Sequence, residues 1–443
     1  MRVWRFTALE SERDQARAAA GLAARGLRAG DRVAFCVGAS PPLLAALLGA
    51  LRTGVVPVVL NPALLDHERR LLLDDARPAL VVDEEGGLDA LLAGSAVADL
   101  APAPLARPMH YTSGTSGRPK GVWSGVRDEA EAQAMFDDEA DVWGFGPDDV
   151  HLVCSPLHHS ASVRFATSCL LRGGSIVLLE RFDAAAVAQA LCRDGVTTTF
   201  MVPAHLQRLL ASGASPSAPT LRRLVHAGAP CPPALKRRAL SVFPTGSVWE
   251  FLGSTEGQFT ACSPEEWEAR PGTVGRARPG RRLEIGEDSR VWCHAPAFAR
   301  FEYWDDPVRT AEAWRGDAFT VGDLGRLDED GYLFLDGRRD DLVISGGVNV
   351  YPAEVEAALA DVPGVEEVAV FGAPDERWGQ RVCAAVVGLA RPEDVVAAAR
   401  ARLAAYKCPK DVYRVAELPR TSTGKLRRTA LVEVLGLTKG DFG

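Results

Sequence analysis

Short apolar runs alternate with longer helical stretches along the first half of the chain, and this alternation constrains the fold more than any other feature. Arg32 to Val37, Val55 to Leu60 and Ala79 to Asp83 are strand-like runs. Leu43 to Leu51 and Leu64 to Asp75 between them read as helices, and an Ala-rich helix from Glu10 to Arg25 comes before. Strands separated by helices are joined by crossovers, so a layered α/β arrangement with largely parallel strands follows. The pattern resumes with strands at Val150 to Cys154, Ser175 to Leu179, Thr197 to Val202 and Leu221 to His226. From about residue 271 to 336 short strands lie between Gly, Pro and Asp turns, among them Arg282 to Ile285, Val291 to His294 and Tyr332 to Leu335. These predict a small antiparallel sheet or barrel. A compact α+β unit closes the chain, with helices at Pro352 to Leu359 and Glu393 to Leu403 and strands at Val365 to Phe371 and Val382 to Val387. The expected class is α/β. Residues 1–337 form a large N-terminal domain of layered α/β subdomains plus the small sheet or barrel, and residues 338–443 a small mobile α+β domain.

A chain of 443 residues is long for one core, which agrees with two domains. Its formal charge of −8 argues against a general nucleic-acid binder. Any polyanionic ligand must therefore be met by local cations rather than by a global field. The nine cysteines are scattered singly, with no close pair at metal-site spacing, and read as reduced. The most apolar run, Pro41 to Leu60, contains Arg52, Thr53, Gly54 and Pro57, so it reads as helix, turn and strand rather than a membrane span. The N-terminus carries no apolar signal core, and the expected location is the cytoplasm.

One loop stands out chemically. Tyr111-Thr112-Ser113-Gly114-Thr115-Ser116-Gly117-Arg118-Pro119-Lys120-Gly121 packs four aliphatic hydroxyls, three glycines and two cations together. Glycines let backbone N–H groups approach an anion, hydroxyls add donors, and Arg118 and Lys120 add positive charge. That is the chemistry of a polyphosphate cradle, without the Walker spacing. Composition alone also fits a flexible linker.

The loop closely resembles the signature of the adenylate-forming superfamily, which includes acyl-CoA synthetases, aryl-CoA ligases and peptide-synthetase adenylation domains. Further segments resemble the family in its order, over roughly residues 30 to 430. The resemblance gives Thr112, Ser113, Gly114, Thr115, Ser116, Gly117 and Lys120 to the ATP phosphates. In Ser155-Pro156-Leu157-His158-His159, it places His159 beside the acyl pocket, together with His158, Ser160 and Phe251. Gly228, Ala229 and Pro230 match the strip along the adenine. Leu252, Gly253 and Ser254 precede Thr255, which would contact the nucleotide phosphate, and Glu256, which would hold Mg²⁺. In Phe319-Thr320-Val321-Gly322-Asp323, the aspartate would receive the ribose hydroxyls, with Arg338 near them. Asp340 would be the hinge pivot. Lys425, in Leu418-Pro419-Arg420-Thr421-Ser422-Thr423-Gly424-Lys425, matches the catalytic lysine.

The implied reaction is ATP-dependent acid activation. A carboxylate attacks the α-phosphate, pyrophosphate leaves, and the acyl-adenylate passes its acyl group to a thiol. ATP, Mg²⁺ and coenzyme A are the implied cofactors. The resemblance places Ser345, Gly346 and Gly347 along the thiol tunnel and Trp378, Tyr406 and Lys410 against CoA. The expected partners are a small carboxylic acid and CoA, with a carrier protein as the alternative acceptor and a homodimer as an allowed state. A third alternative is an inactive adenylate-binding regulator, against which the intact set Thr115, Lys120, Glu256, Asp323, Arg338 and Lys425 speaks. The chain departs from the family at Leu252, where an aromatic ring is usual, and at His158. It is also abbreviated before the first helix and between Gly272 and Asp317. The residues named for the acyl pocket suit a small or aromatic acid better than a long chain.

Overall fold

Six strands make the main sheet, in the order Val3–Thr7, Ser175–Leu179, Val150–Val153, Thr198–Met201, Arg223–His226 and Val248–Glu250. All neighbours run parallel except Val3–Thr7, which lies antiparallel along Ser175–Leu179. That edge strand has no counterpart among the sequence expectations, because its alternation is short and mixed with charge. The computed structural model describes residues 1–112, 120–213, 218–338, 343–345, 348–350, 352–375, 379–403, 405, 407–420 and 426–437.

The chain divides into two compact units, residues 1–284 with 293–321 and residues 285–292 with 322–443. The expected boundary at 337/338 falls on a strand of the second unit, Tyr332–Arg338, which pairs antiparallel with Asp323–Leu327.

In the first unit, Arg32–Phe35 lies between Val56–Val59 and Leu80–Val82, all parallel. The apolar run before Val56 forms the helix Pro41–Arg52. Pro41 starts it without wasting an N–H, and Ser40 caps it by accepting from the Leu43 N–H. Leu43, Leu44, Leu47 and Leu48 are buried on it, each worth ~1.5–3 kcal/mol relative to exposure. The helix is therefore a core element. Among the described residues no helix is long and apolar enough to cross a membrane. Short antiparallel pairs complete the unit, Thr260–Ala261 with Thr273–Ala277 and Ala318–Phe319 with Trp314–Arg315.

In the second unit, the long strands Val365–Asp375 and Gly379–Gly388 pair antiparallel, and Asp411–Arg414 runs parallel to the latter. Helices Pro352–Leu359 and Pro392–Arg402 contribute Val355, Leu359 and Val395 to a core with Val370, Val382 and Ala384.

Candidate active site

Because the inner strands of the main sheet are parallel, their carboxyl ends share one edge, the usual place for a ligand in such a sheet. Four segments emerge there. Ser155 to His159 follow Val150–Val153, and Val202 follows Thr198–Met201. Ala227 to Pro230 follow Arg223–His226, and Phe251 to Glu256 follow Val248–Glu250. The sheet thus brings together His158, His159 and Ser160, the strip Gly228, Ala229, Pro230, and the run Phe251 to Glu256.

Local geometry fixes these segments. The Phe251 N–H donates to the His226 carbonyl at 3.2 Å, which ties the third and fourth segments together. Gly228 has φ +88°, a conformation that side chains rarely adopt. The Phe251 ring lies 5.5 Å from Trp143, 6.1 Å from Phe200 and 6.4 Å from Phe165. A Cβ on Gly253 would come within 2.5 Å of that ring, so glycine is what lets the chain fold against it. Leu252 is held by its backbone. Its N–H donates to Thr260 Oγ1 at 2.9 Å and its carbonyl accepts from the Phe259 N–H at 2.8 Å.

The candidate phosphate loop is flanked by two antiparallel strands, His110–Thr112 and Lys120–Trp123, in which Thr112 and Lys120 are direct partners. Ser113, Gly114, Thr115, Ser116 and Gly117 lie outside the described residues. The short strand Glu302–Tyr303 pairs with the outer edge of this strand pair. It places the Tyr303 ring 5.3 Å from Lys120 Nζ and lets the Tyr303 hydroxyl donate to Glu256 Oε1 at 2.8 Å. Glu256 is buried. Lys120, Tyr303 and Glu256 thus form one contiguous group. Among the described residues no three His, Cys, Asp or Glu side chains gather into a metal cage. A single buried carboxylate beside a phosphate loop fits Mg²⁺, which keeps several waters and takes phosphate oxygens as its remaining ligands.

Behind this group lies a concentration of buried cations. Arg164 donates to the Thr255 carbonyl at 2.8 Å and lies 3.8 Å from Glu139, which also pairs with Arg107. Arg278 and Arg281 pair with Asp138 at 2.9 and 2.8 Å. Four guanidiniums thus face two carboxylates. Burial pulls Arg164 down to about 10. Burial would raise Glu139, but Arg107, Arg164 and Arg278 hold it at about 2. The chain is acidic as a whole, yet it gathers these guanidiniums close to the Thr255–Glu256 segment, the local supply of cations that a polyphosphate requires.

Burial holds His158, His110 and His205 below the ordinary imidazole range. His158 packs 4.5 Å from His159, and burial holds it at about 3. His110, on the strand before the candidate phosphate loop, is likewise buried and held at about 3. His205 contacts Ser155 through Nδ1 at 3.2 Å and stacks on Phe182 at 4.0 Å.

In the second unit Asp323 is buried and stands directly opposite Arg338 across two antiparallel strands. Ser345 is buried and pairs with Gly379, while Lys410 is exposed and donates from Nζ to the Ala405 carbonyl at 3.1 Å. Asp340, Gly346, Gly347, Trp378, Tyr406 and Lys425 lie outside the described residues.

The sequence pattern of the AMP-binding enzymes matches residues 4–292, and that of their C-terminal domain matches residues 354–425. The chain belongs to the AMP-binding enzyme family. A feruloyl-CoA synthase of an Amycolatopsis species is 34% identical to it, with 95% of this chain and 92% of the relative covered. The long-chain-fatty-acid–CoA ligase FadD13 of Mycobacterium tuberculosis is 31% identical, with 94% and 90% covered. Among solved structures, the o-succinylbenzoate CoA synthetase of Bacillus subtilis in complex with ATP and magnesium ion superposes with a TM-score of 0.83 at 27% identity, covering 96% of this chain and 94% of that one. The chain is accordingly an AMP-forming acid–thiol ligase that uses ATP, Mg²⁺ and coenzyme A.

Tyr303 and Arg164 escape sequence reasoning. Tyr303 is 47 residues from Glu256 and sits in a two-residue strand without a motif. Arg164 looks like an ordinary helix residue until its carbonyl partner is known.

Proposed function

We propose that this ligase activates a small aromatic carboxylic acid, with each half-reaction served by its own conformation of the second unit. The observation that carries the assignment of the phosphate end is the Lys120–Tyr303–Glu256 group, backed by the excess of buried guanidinium charge. Lys120 and the loop residues Thr112, Ser113, Gly114, Thr115, Ser116 and Gly117 bind the phosphates, and Thr255 adds a contact. Glu256 would hold Mg²⁺, which when bound would supply charge neutralisation at the phosphates. The adenine lies along Gly228, Ala229, Pro230 and the Leu252–Ser254 run, and Asp323 with Arg338 receives the ribose.

The acid enters as a carboxylate, so no base is needed. Its oxygen attacks the α-phosphorus, the bond to the bridging oxygen breaks, and pyrophosphate leaves with the electron pair. Lys425 neutralises charge between carboxylate and α-phosphate. Catalysis of this step is positioning plus charge stabilisation. Rotation about Asp340 then withdraws Lys425 and brings Ser345, Gly346 and Gly347 to line the thiol path. Trp378, Tyr406 and Lys410 contact CoA. The thiolate attacks the acyl carbon and AMP leaves.

An aromatic acid is favoured because Phe251 belongs to an aromatic cluster and His158, at the end of another strand of the same sheet edge, is held uncharged by burial. Relatives named for feruloyl, indoleacetate and 2-succinylbenzoate substrates support this choice. The test is pyrophosphate release across aromatic, short and long acids, with and without CoA. Turnover of long-chain acids over aromatic ones overturns the substrate class, and thioester formation only on a carrier protein overturns CoA as the acceptor.

A further inference from the structure

Beneath the nucleotide segments lies a buried ionic cluster that the reaction above does not use. Lys236, on the helix Pro233–Val242, has a side chain with no exposed surface. Its Nζ lies 2.6 Å from His226 Nε2 and 3.4 Å from Glu250 Oε2, and the same carboxylate is 3.8 Å from His226 Nε2. An ammonium only donates, so His226 Nε2 is the acceptor and the imidazole proton sits on Nδ1. Burial and the neighbouring ammonium keep His226 neutral. Burial pushes the Glu250 carboxyl up, and Lys236 opposes it. The other groups facing the cluster are the Cys231 and Cys262 thiols, both pushed up to about 12 by burial, and the Trp267 ring, 6.0 Å from Nζ. Glu266 is engaged in the cap of its own helix, accepting from the Ser263 N–H.

The place of this cluster is what gives it meaning. His226 is the last residue of its strand, directly before Ala227, Gly228, Ala229 and Pro230. Glu250 is the last residue of the neighbouring strand, directly before Phe251 to Glu256. The two are Cα partners across the parallel pair. One ammonium therefore bridges the ends of both strands that carry the nucleotide segments. Its helix starts three residues after the first segment ends. For stability alone, well-packed apolar side chains usually serve as well as a buried ion pair.

We propose that Lys236 is a positioning residue for the nucleotide, setting the distance between the 227–230 strip and the 251–256 run by holding His226 and Glu250 together. This role rests on the nucleotide assignment above.

Lys236→Met alone leaves Glu250 without its partner and can prevent folding, so the decisive variant is Lys236→Met/Glu250→Gln, which removes both charges at nearly constant volume. The measurements are the KM for ATP and for the acid in pyrophosphate release, thioester formation from pre-made acyl-adenylate, and Tm. The expected result is a Tm within a few degrees of the parent, an acid KM within about twofold, and an ATP KM raised by about tenfold or more, the equivalent of about 1.4 kcal/mol. An ATP KM within twofold overturns the proposal, as does a joint rise of the ATP and acid KM with a fall in Tm. If the double variant does not fold, Lys236→Leu/Glu250→Gln reads the same split, because it also removes both charges together. Gly228→Val is the control for the nucleotide assignment. If it leaves the ATP KM unmoved, that assignment fails. If it raises the ATP KM while the cluster variants do not, only the role of Lys236 fails.

Discussion

Removing one oxygen from Tyr303 should uncouple Glu256 from its orientation while leaving the surrounding packing in place. In Tyr303→Phe the ring remains, so the Lys120 contact at 5.3 Å and the edge contact with Phe301 at 5.5 Å persist. What disappears is the 2.8 Å hydrogen bond to Glu256 Oε1. Hydrogen bonds to charged groups are worth about 1.5–3 kcal/mol, and a factor of ten corresponds to about 1.4 kcal/mol. Full loss would therefore raise the Mg²⁺ concentration for half-maximal rate by roughly 10- to 100-fold. Water cannot easily replace the hydroxyl, because Glu256 is only 6% exposed and Tyr303 only 7%. The assay is ATP–pyrophosphate exchange across a Mg²⁺ titration, with thioester formation from pre-made acyl-adenylate as the control. A half-saturating Mg²⁺ within twofold of the parent would refute the placement of the metal at Glu256. Equal loss in both half-reactions would mean that the hydroxyl acts on the fold rather than on the phosphate end.

Lys425→Ala should slow adenylation by about 10²–10³ while leaving thioester formation from pre-made adenylate largely intact, since one preorganised charge contact typically has that worth; equal loss in both steps would sink the two-conformation scheme. Leu252→Tyr should lower the ATP KM roughly five-fold by adding a stacking surface, and leave the acid KM nearly unchanged. Phe251→Ala, by contrast, removes a ring wedged among Trp143, Phe165 and Phe200, so it should cost about 3–5 kcal/mol in unfolding free energy and disturb the acid KM more than the ATP KM; the opposite KM pattern would make Phe251 the ring that stacks on adenine. Stability should fall steeply in mild acid. His110 and His151 are held at about 3 by burial, below their ordinary 6.5, so the unfolded state binds more protons throughout the interval between those values. Their contribution is fully present above pH 6.5 and is lost as pH falls towards 3, at up to about 1.4 kcal/mol per pH unit for each residue. Urea midpoints at pH 7, 6 and 5 measure it, and a flat profile would mean that the imidazoles are solvated.

The parallel α/β layers were legible in the sequence because strands such as Val56–Val59 and Ser175–Leu179 are almost wholly apolar runs, the mark of strands buried on both faces. The candidate phosphate loop stood out because its chemistry is concentrated within eleven consecutive residues. The strand Val3–Thr7 was not, since an edge strand of mixed polarity is recognised only by the neighbour it pairs with. Nor could composition say where local cations would be found in a chain of formal charge −8.

Sequence alone determined the alternation of strands and helices, the chemistry available to the site and the family to which the motifs point, because each of these is written in near neighbours. Tertiary structure decided which distant residues share that chemistry. Parallel strand order brings Glu250 beside His226 and lets Lys236 bridge them from a helix. A two-residue strand brings Tyr303 to Glu256, and a helix turn brings Arg164 to the Thr255 carbonyl. These are contacts across 47 and 91 positions, and no local periodicity encodes them. They follow from sheet register and from the requirement that buried polar groups find partners, which only the folded chain can satisfy.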